Sequence, residues 1–208
     1  EVFVYWTNSG TMAKLTQLEN SPSNITWSPD GKQIAFTMKV NAKAPVLAKM
    51  PPKPKGAKWA KAPRITDRLK HEADGAGYLK PGFTHIFTIS AEGGAPRQLT
   101  SGDFNHSGTL SWSNDGGKIY FSANRNEDWE YDFRNSEVYS VNTRTGVIDQ
   151  LTEANGPDGS PMVSPNGKHI AYIGFVDKVQ TYQTRKLHVM NIDGTGKRVV
   201  SDGIDRSF

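Results

Sequence analysis

Arg125, Asp128 and Trp129 stand close together in the chain. An arginine beside an acid and an indole could hold a peptide carboxylate or carbonyl through paired N–H donors. The competing reading is structural, an Arg125–Asp128 ion pair that pins a Trp-bearing loop between neighbouring elements, and the pattern favours it. The other residues capable of chemistry are dispersed. The histidines His71, His85, His106, His169 and His188 show no His-x-Glu or His-x3-His spacing, so they read as strand and turn packing. Asp-Gly pairs occur, yet no Asp-x-Asp-x-Asp-Gly loop accompanies them, and turn chemistry explains them better than calcium. Without cysteine, thiolate catalysis, disulfides and cysteine-based zinc sites are excluded. The expectation is therefore no catalytic, cofactor or metal residue, with Arg125, Asp128 and Trp129 as a candidate substrate cleft.

A repeat must position these residues. The segment Trp27-Ser28-Pro29-Asp30-Gly31-Lys32-Gln33-Ile34-Ala35-Phe36 recurs from Trp112 to Phe121 and again from Val163 to Tyr172. A second landmark, an apolar pair or Leu-Thr ending a short strand, falls at Leu15-Thr16, Leu99-Thr100, Leu151-Thr152 and Val200-Ser201. The first landmark is spaced 85 and 51 residues, the second 84, 52 and 49, so two markers share one register with one insertion. Each repeat reads as four short antiparallel strands, with a two-residue hairpin turn at Asp/Asn-Gly whose residues tolerate left-handed backbone. Four strands per roughly 40–50 residues is the period of a β-propeller blade, whereas a β-sandwich has no reason to repeat one turn in register.

The fold expected is all-β, a partial propeller of about three and a half blades. Residues 1–18 would supply the last two strands of one blade. Blades would follow at 23–102, 108–153 and 160–201, with 203–208 leading into another. An arc of this kind would expose sheet edges through which copies could associate.

Composition agrees with a globular chain. The 208 residues are 36% hydrophobic and 10% aromatic, too apolar for disorder, while 20 Gly and 12 Pro punctuate too often for a helical bundle. No stretch is long and apolar enough to span a membrane, and no signal peptide opens the chain. Residue 1 is Glu, so a processed or excised piece is expected. The net charge of +4 is local: residues 39–70 hold ten Lys or Arg against Asp67, although the chain as a whole has 25 basic and 21 acidic residues. The insertion at about 38–78 also holds Pro45, Pro51, Pro52, Pro54 and Pro63, which favour an extended arm. Trp59 is a weak stacking candidate, but a non-catalytic arm lying over the propeller or a hydrolase domain, more mobile than the blades and ordered mainly where it touches a partner surface, is preferred to nucleic-acid binding.

The Trp-Ser-Pro-Asp-Gly repeat resembles those of TolB-like proteins and of the prolyl oligopeptidase family of serine peptidases. Longer stretches add to it: Lys55 to Trp59, Arg68 through Asp74 to Tyr78, Gly93 to Asp103, Ser122 to Arg125 with Asp128-Trp129, and Asp205-Arg206-Ser207. Together these are similar to the N-terminal propeller of the acylaminoacyl-peptidase and dipeptidyl-peptidase-like branch. The resemblance implies a C-terminal α/β-hydrolase domain, whose propeller would admit peptide substrates and exclude folded proteins. The Gly-x-Ser-x-Gly elbow that such a domain carries does not occur in these residues. The alternative implied is a TolB-like, non-enzymatic propeller that binds protein segments. Relatives of this layout are often exported by bacteria, which would place the chain in the periplasm or outside the cell.

Overall fold

The repeated turn shows how local chemistry sets the architecture. In the computed structural model, Ser28 Oγ donates to Asp30 Oδ1 (2.6 Å) and accepts from Gln33 N (2.9 Å), while Asp30 Oδ1 also accepts from Lys32 N (3.0 Å). Ser113 with Asp115 and Ser164 with Asn166 repeat the arrangement at 2.6 and 2.7 Å. The expected two-residue turn is instead a loop of Pro29-Asp30-Gly31-Lys32 between the paired residues Ser28 and Gln33. Only its glycine takes left-handed backbone, with φ of 68°, 70° and 69° at Gly31, Gly116 and Gly167. The acid serves as a hydrogen-bond acceptor.

The structure describes residues 1–49, 51–60 and 63–208; Met50, Lys61 and Ala62, and with Lys61 one cation of the basic insertion, lie outside them. Every helical or strand element among the described residues is a strand. Strands β1 (Phe3–Trp6) and β2 (Thr11–Lys14) form a two-stranded sheet. Next come β3 (Ser23–Trp27) and β4 (Gln33–Asn41), then a small hairpin of β5 (Glu72–Ala73) and β6 (Gly77–Tyr78), then β7 (Gly82–Ser90) and β8 (Arg97–Gln98). Strands β3-β4-β7-β8 make one antiparallel four-stranded sheet. The second sheet is β9 (Ser111–Trp112), β10 (Lys118–Ala123), β11 (Glu137–Asn142) and β12 (Ile148–Gln150). The third is β13 (Gly159–Val163), β14 (His169–Gly174), β15 (Lys186–Asn191) and β16 (Arg198–Val199).

The second landmark owes its position to the hydroxyl that each copy carries. Thr16, Thr100, Thr152 and Ser201 accept the backbone N–H of Val2, Ile86, Val138 and Leu187 at 2.8, 2.9, 2.9 and 2.9 Å. Each bond closes the outer edge of a sheet where the short fourth strand has ended. A buried N–H there would otherwise lack a partner.

The sheets pack face to face. Val2, Val4, Ile34, Phe36, Phe87 and Ile89 form the core between the β1–β2 pair and the first sheet. Ile86, Leu110, Trp112, Ile119, Phe121 and Val141 are among those that fill the next interface, and Tyr120, Val138, Ile170, Tyr172 and Met190 the one after. Because strand direction alternates, the Ser-x-Asp/Asn-Gly turns lie on one rim. The β4–β7, β10–β11 and β14–β15 connections and the links into β3, β9 and β13 lie on the other.

The insertion occupies that second rim. The hairpin runs past the expected start of the insertion at about 38: β4 and β7 pair from Gln33–Ser90 to Asn41–Gly82. Gly82, at φ 130°, must be glycine because a Cβ there would overlap Val40 O. Beyond it the later half of the arm folds back onto its own chain, with Arg68 4.4 Å over the Phe83 ring.

Thr100→Val, isosteric but lacking the acceptor, should lower the unfolding free energy by about 1–3 kcal/mol in denaturant titration. Thr181→Val, at an exposed position, should cost a few tenths at most. Equal effects of the two would refute the pinning role.

Candidate functional site

Asparagines hold the loop after β10. Asn124 Nδ2 donates to Asp132 O (2.6 Å) and Asn126 Nδ2 to Asn135 O (3.2 Å), while Asp128 O accepts the N–H of Tyr131 and Asp132 at 2.8 and 3.0 Å. Within this frame Arg125 turns inward. Its Nη1 lies 2.6 Å from His106 Nε2, and its guanidinium is 4.9 Å from the Phe104 ring centroid and 5.9 Å from that of Tyr139.

His106 is fully buried in the link between β8 and β9. Its Nδ1–H donates to Thr84 O (3.1 Å), which leaves Nε2 to accept from Arg125. Burial is the main reason its pKa falls to about 4, with the charge of Arg125 acting in the same direction. Burial and then Arg125 also lower His85, whose ring lies 5.3 Å from that of His106. Arg125 is therefore a half-buried cation beside neutral imidazoles.

The expected Arg125–Asp128 pair is not formed. Among the described residues the ion pairs are Glu1–Lys14 and Lys118–Asp149, and Asp128 is exposed. Trp129 does dock, edge-on to Phe83 at 6.1 Å, and lines a cavity of about 500 Å³ under the arm. Arg125 and Trp129 thus share a rim without touching the same group, and Asp128 serves through its backbone. Sequence spacing could not reveal Phe104, His106 and Tyr139 as the partners of Arg125, because they come from another link and another strand. The arrangement can offer guanidinium N–H donors to an oxygen acceptor.

A second cluster lies between the second and third sheets. Glu137, Thr152 and Asp158 are 3%, 1% and 3% exposed, and the Thr152 hydroxyl donates to Glu137 Oε2. Burial pushes Glu137 up to about 7 and Asp158 to about 6. The chain signals neither group by spacing; only the packed interface reveals them.

Four-stranded antiparallel meanders stacked face to face define the class as an arc of β-propeller. Residues 57–176 match the family described as the dipeptidyl peptidase IV (DPP IV) N-terminal region, and the chain belongs to that family. Over 127 residues it is 27% identical to an uncharacterized peptidase of Bacillus subtilis, YuxL, covering 61% of this chain and 19% of that protein. The acylaminoacyl peptidase of Pyrococcus horikoshii superposes over 99% of this chain and 29% of its own, with a TM-score of 0.66 at 16% identity. TolB from Acinetobacter baumannii covers 95% of this chain and 37% of its own, with a TM-score of 0.56 at 17% identity. The chain thus spans between 19% and 37% of these proteins. The propeller is related to peptidases and to TolB, as the sequence resemblance implied.

The buried carboxyls give a pH dependence of definite sign. Glu137 has a folded pKa of about 7 against an ordinary 4.5, so between these values the folded state binds more protons than the unfolded one. Its contribution is present below about pH 4.5 and lost as pH rises through 7. Asp158 acts in the same direction, and His106, lowered, in the opposite one. Relative to Glu137→Gln, which mimics the protonated form and keeps His106, the unsubstituted protein should lose on the order of 2–3 kcal/mol from about pH 4.5 to about pH 8. Parallel stability curves would contradict this.

Proposed function

We propose that this chain is the non-catalytic propeller part of a serine peptidase of the prolyl oligopeptidase family, and that its loop rim gates peptide access to a hydrolase domain elsewhere in the protein. The observation that carries this reading is Arg125. A half-buried guanidinium is held by a neutral histidine and aromatic rings rather than by a carboxylate, on the rim that bears the longest connection. Such a group retains donors for an oxygen acceptor, and a peptide offers them as main-chain carbonyls or a terminal carboxylate. Trp129, on the same rim, adds an apolar wall for the peptide chain. The relation to the DPP IV N-terminal region and to YuxL supports peptides as the substrate class. The relation to TolB supports a second reading, a scaffold that binds protein segments without turnover.

These readings differ in what the full-length protein does. Under the first it hydrolyses aminoacyl or acylaminoacyl chromogenic substrates, and the 208-residue chain alone does not. Arg125→Met in the full-length protein should lower kcat/KM roughly tenfold to a hundredfold, the range for losing a charged hydrogen bond, and Arg125→Lys should recover part of it. Turnover by the highly purified chain with covalent labelling of one of its serines by a fluorophosphonate would overturn the non-catalytic assignment. Unchanged kcat/KM in a folded Arg125→Met variant would remove Arg125 from the site.

A further inference from the structure

The cavity under the arm is walled by cations. Lys39 at the end of β4, Arg64, Arg68 and Lys70 in the arm and Lys80 before β7 line it, and Asp67 is the one acidic lining residue. None of these cations is ion-paired to a carboxylate among the described residues. Their placement is fixed by the chain itself. Arg64 lies 4.4 Å over the Tyr78 ring and Arg68 4.4 Å over the Phe83 ring, while Lys39 Nζ donates to Lys80 O. The backbone of the arm is tied by Leu79 N to His71 O (2.8 Å) and Ala42 N to Pro81 O (3.2 Å). Glu130, whose Oε2 is 3.5 Å from Leu69 N, does not line the cavity and leaves its charge in place.

Gathering like charges in one concavity costs free energy unless something offsets it. The cost is visible at Lys39, lowered first by burial and then by the charges of Arg68 and Lys80. Of the aromatic rings that line the cleft, Tyr78 is already covered by Arg64, while the indole of Trp129 adds to the apolar wall. The remaining wall includes Pro45, Pro63, Pro81, Ile65 and Leu79, which suits the aliphatic stems of side chains. A volume of about 500 Å³ exceeds what a lone inorganic anion needs and lies within the range of ligand sites.

We infer that this cleft is a binding site for an acidic peptide segment, its carboxylates meeting Lys39, Arg64, Arg68, Lys70 and Lys80. Arg125 does not line this cleft, although Trp129 borders it, and the inference does not rest on the peptidase reading, since a scaffold could use the cleft equally.

Fluorescence anisotropy with the full-length protein tests it through binding rather than turnover. A labelled peptide bearing four consecutive Glu should bind at least tenfold more tightly at low salt than its Gln counterpart, and raising the salt should weaken it. Arg68→Gln combined with Lys80→Gln should abolish that preference. Lys53→Gln, which changes an exposed cation of the arm outside the cleft, should leave it intact and guards against a general charge effect. Equal affinity for the Glu and Gln peptides, or a preference that survives the double substitution, would overturn the assignment. So would competition by inorganic phosphate at the concentration of the acidic peptide, which would mark a simple anion site. Tighter binding of a short single-stranded DNA would do the same in favour of nucleic acid.

Discussion

The first and second four-stranded sheets each present two faces, and both are packed away from water. Strand alternation makes this possible with few residues: in β10, Ile119, Phe121 and Ala123 enter the interface with the preceding sheet while Tyr120 enters the following one. β11 repeats the division, with Tyr139 and Val141 on one side and Val138 on the other. Burial of each large side chain is worth roughly 1.5–3 kcal/mol, so a one-residue slip, which exchanges the two faces, would be prohibitive. With both faces committed, only the rims are free to vary. The Ser-x-Asp/Asn-Gly turns fill one rim with nearly identical hydrogen bonds, which leaves distinctive chemistry to the other.

Buried charge on this scaffold is managed by proton loss and gain more than by pairing. His106 is held neutral beside Arg125, so one cation rather than two sits among Phe104, Phe121 and Tyr139. Glu137 and Asp158 are pushed toward the protonated form at the next interface. Both solutions avoid the desolvation cost of a buried ion. Their consequences differ. Protonation of an acid removes its charge, whereas the neutral imidazole leaves the arginine charged and short of an anion. Arg125 thereby stays a half-buried cation with no carboxylate ion pair among the described residues.

The repeat was legible because its causes are local. Ser28, Asp30 and Gly31 form a complete turn within a few residues, so the motif carries its own explanation. The landmark at Thr100 was visible as a pattern, although its reason, the N–H of Ile86, lies on a neighbouring strand. Site geometry was less legible for the same reason. Arg125 and Asp128 are near in sequence and suggested a pair, but the turn begun by the Asp128 carbonyl leaves that residue exposed while Arg125 turns to His106. Lysine and proline content suggested an extended arm lying over the propeller or a hydrolase domain, but composition does not register that Phe83 and Tyr78 stand where Arg68 and Arg64 can cover them.

The position of the insertion follows from the same constraint. Added to a Ser-x-Asp/Asn-Gly turn, extra residues would interrupt a compact hydrogen-bond network; added within a strand, they would shift register and expose a core. The β4–β7 connection avoids both, since its ends are held a strand spacing apart by a ladder running to Asn41–Gly82. Loop-closure entropy rises only with the logarithm of length, so a long excursion from fixed ends weakens the sheet little. The excursion can then be selected for its surface. It brings Arg64, Arg68 and Lys70 to a rim where Lys39, Lys80 and Trp129 already stand, and builds a charged concavity with none of the apolar cores as its lining. Stability resides in the interfaces between sheets, and the connections are left free to differ in charge and shape.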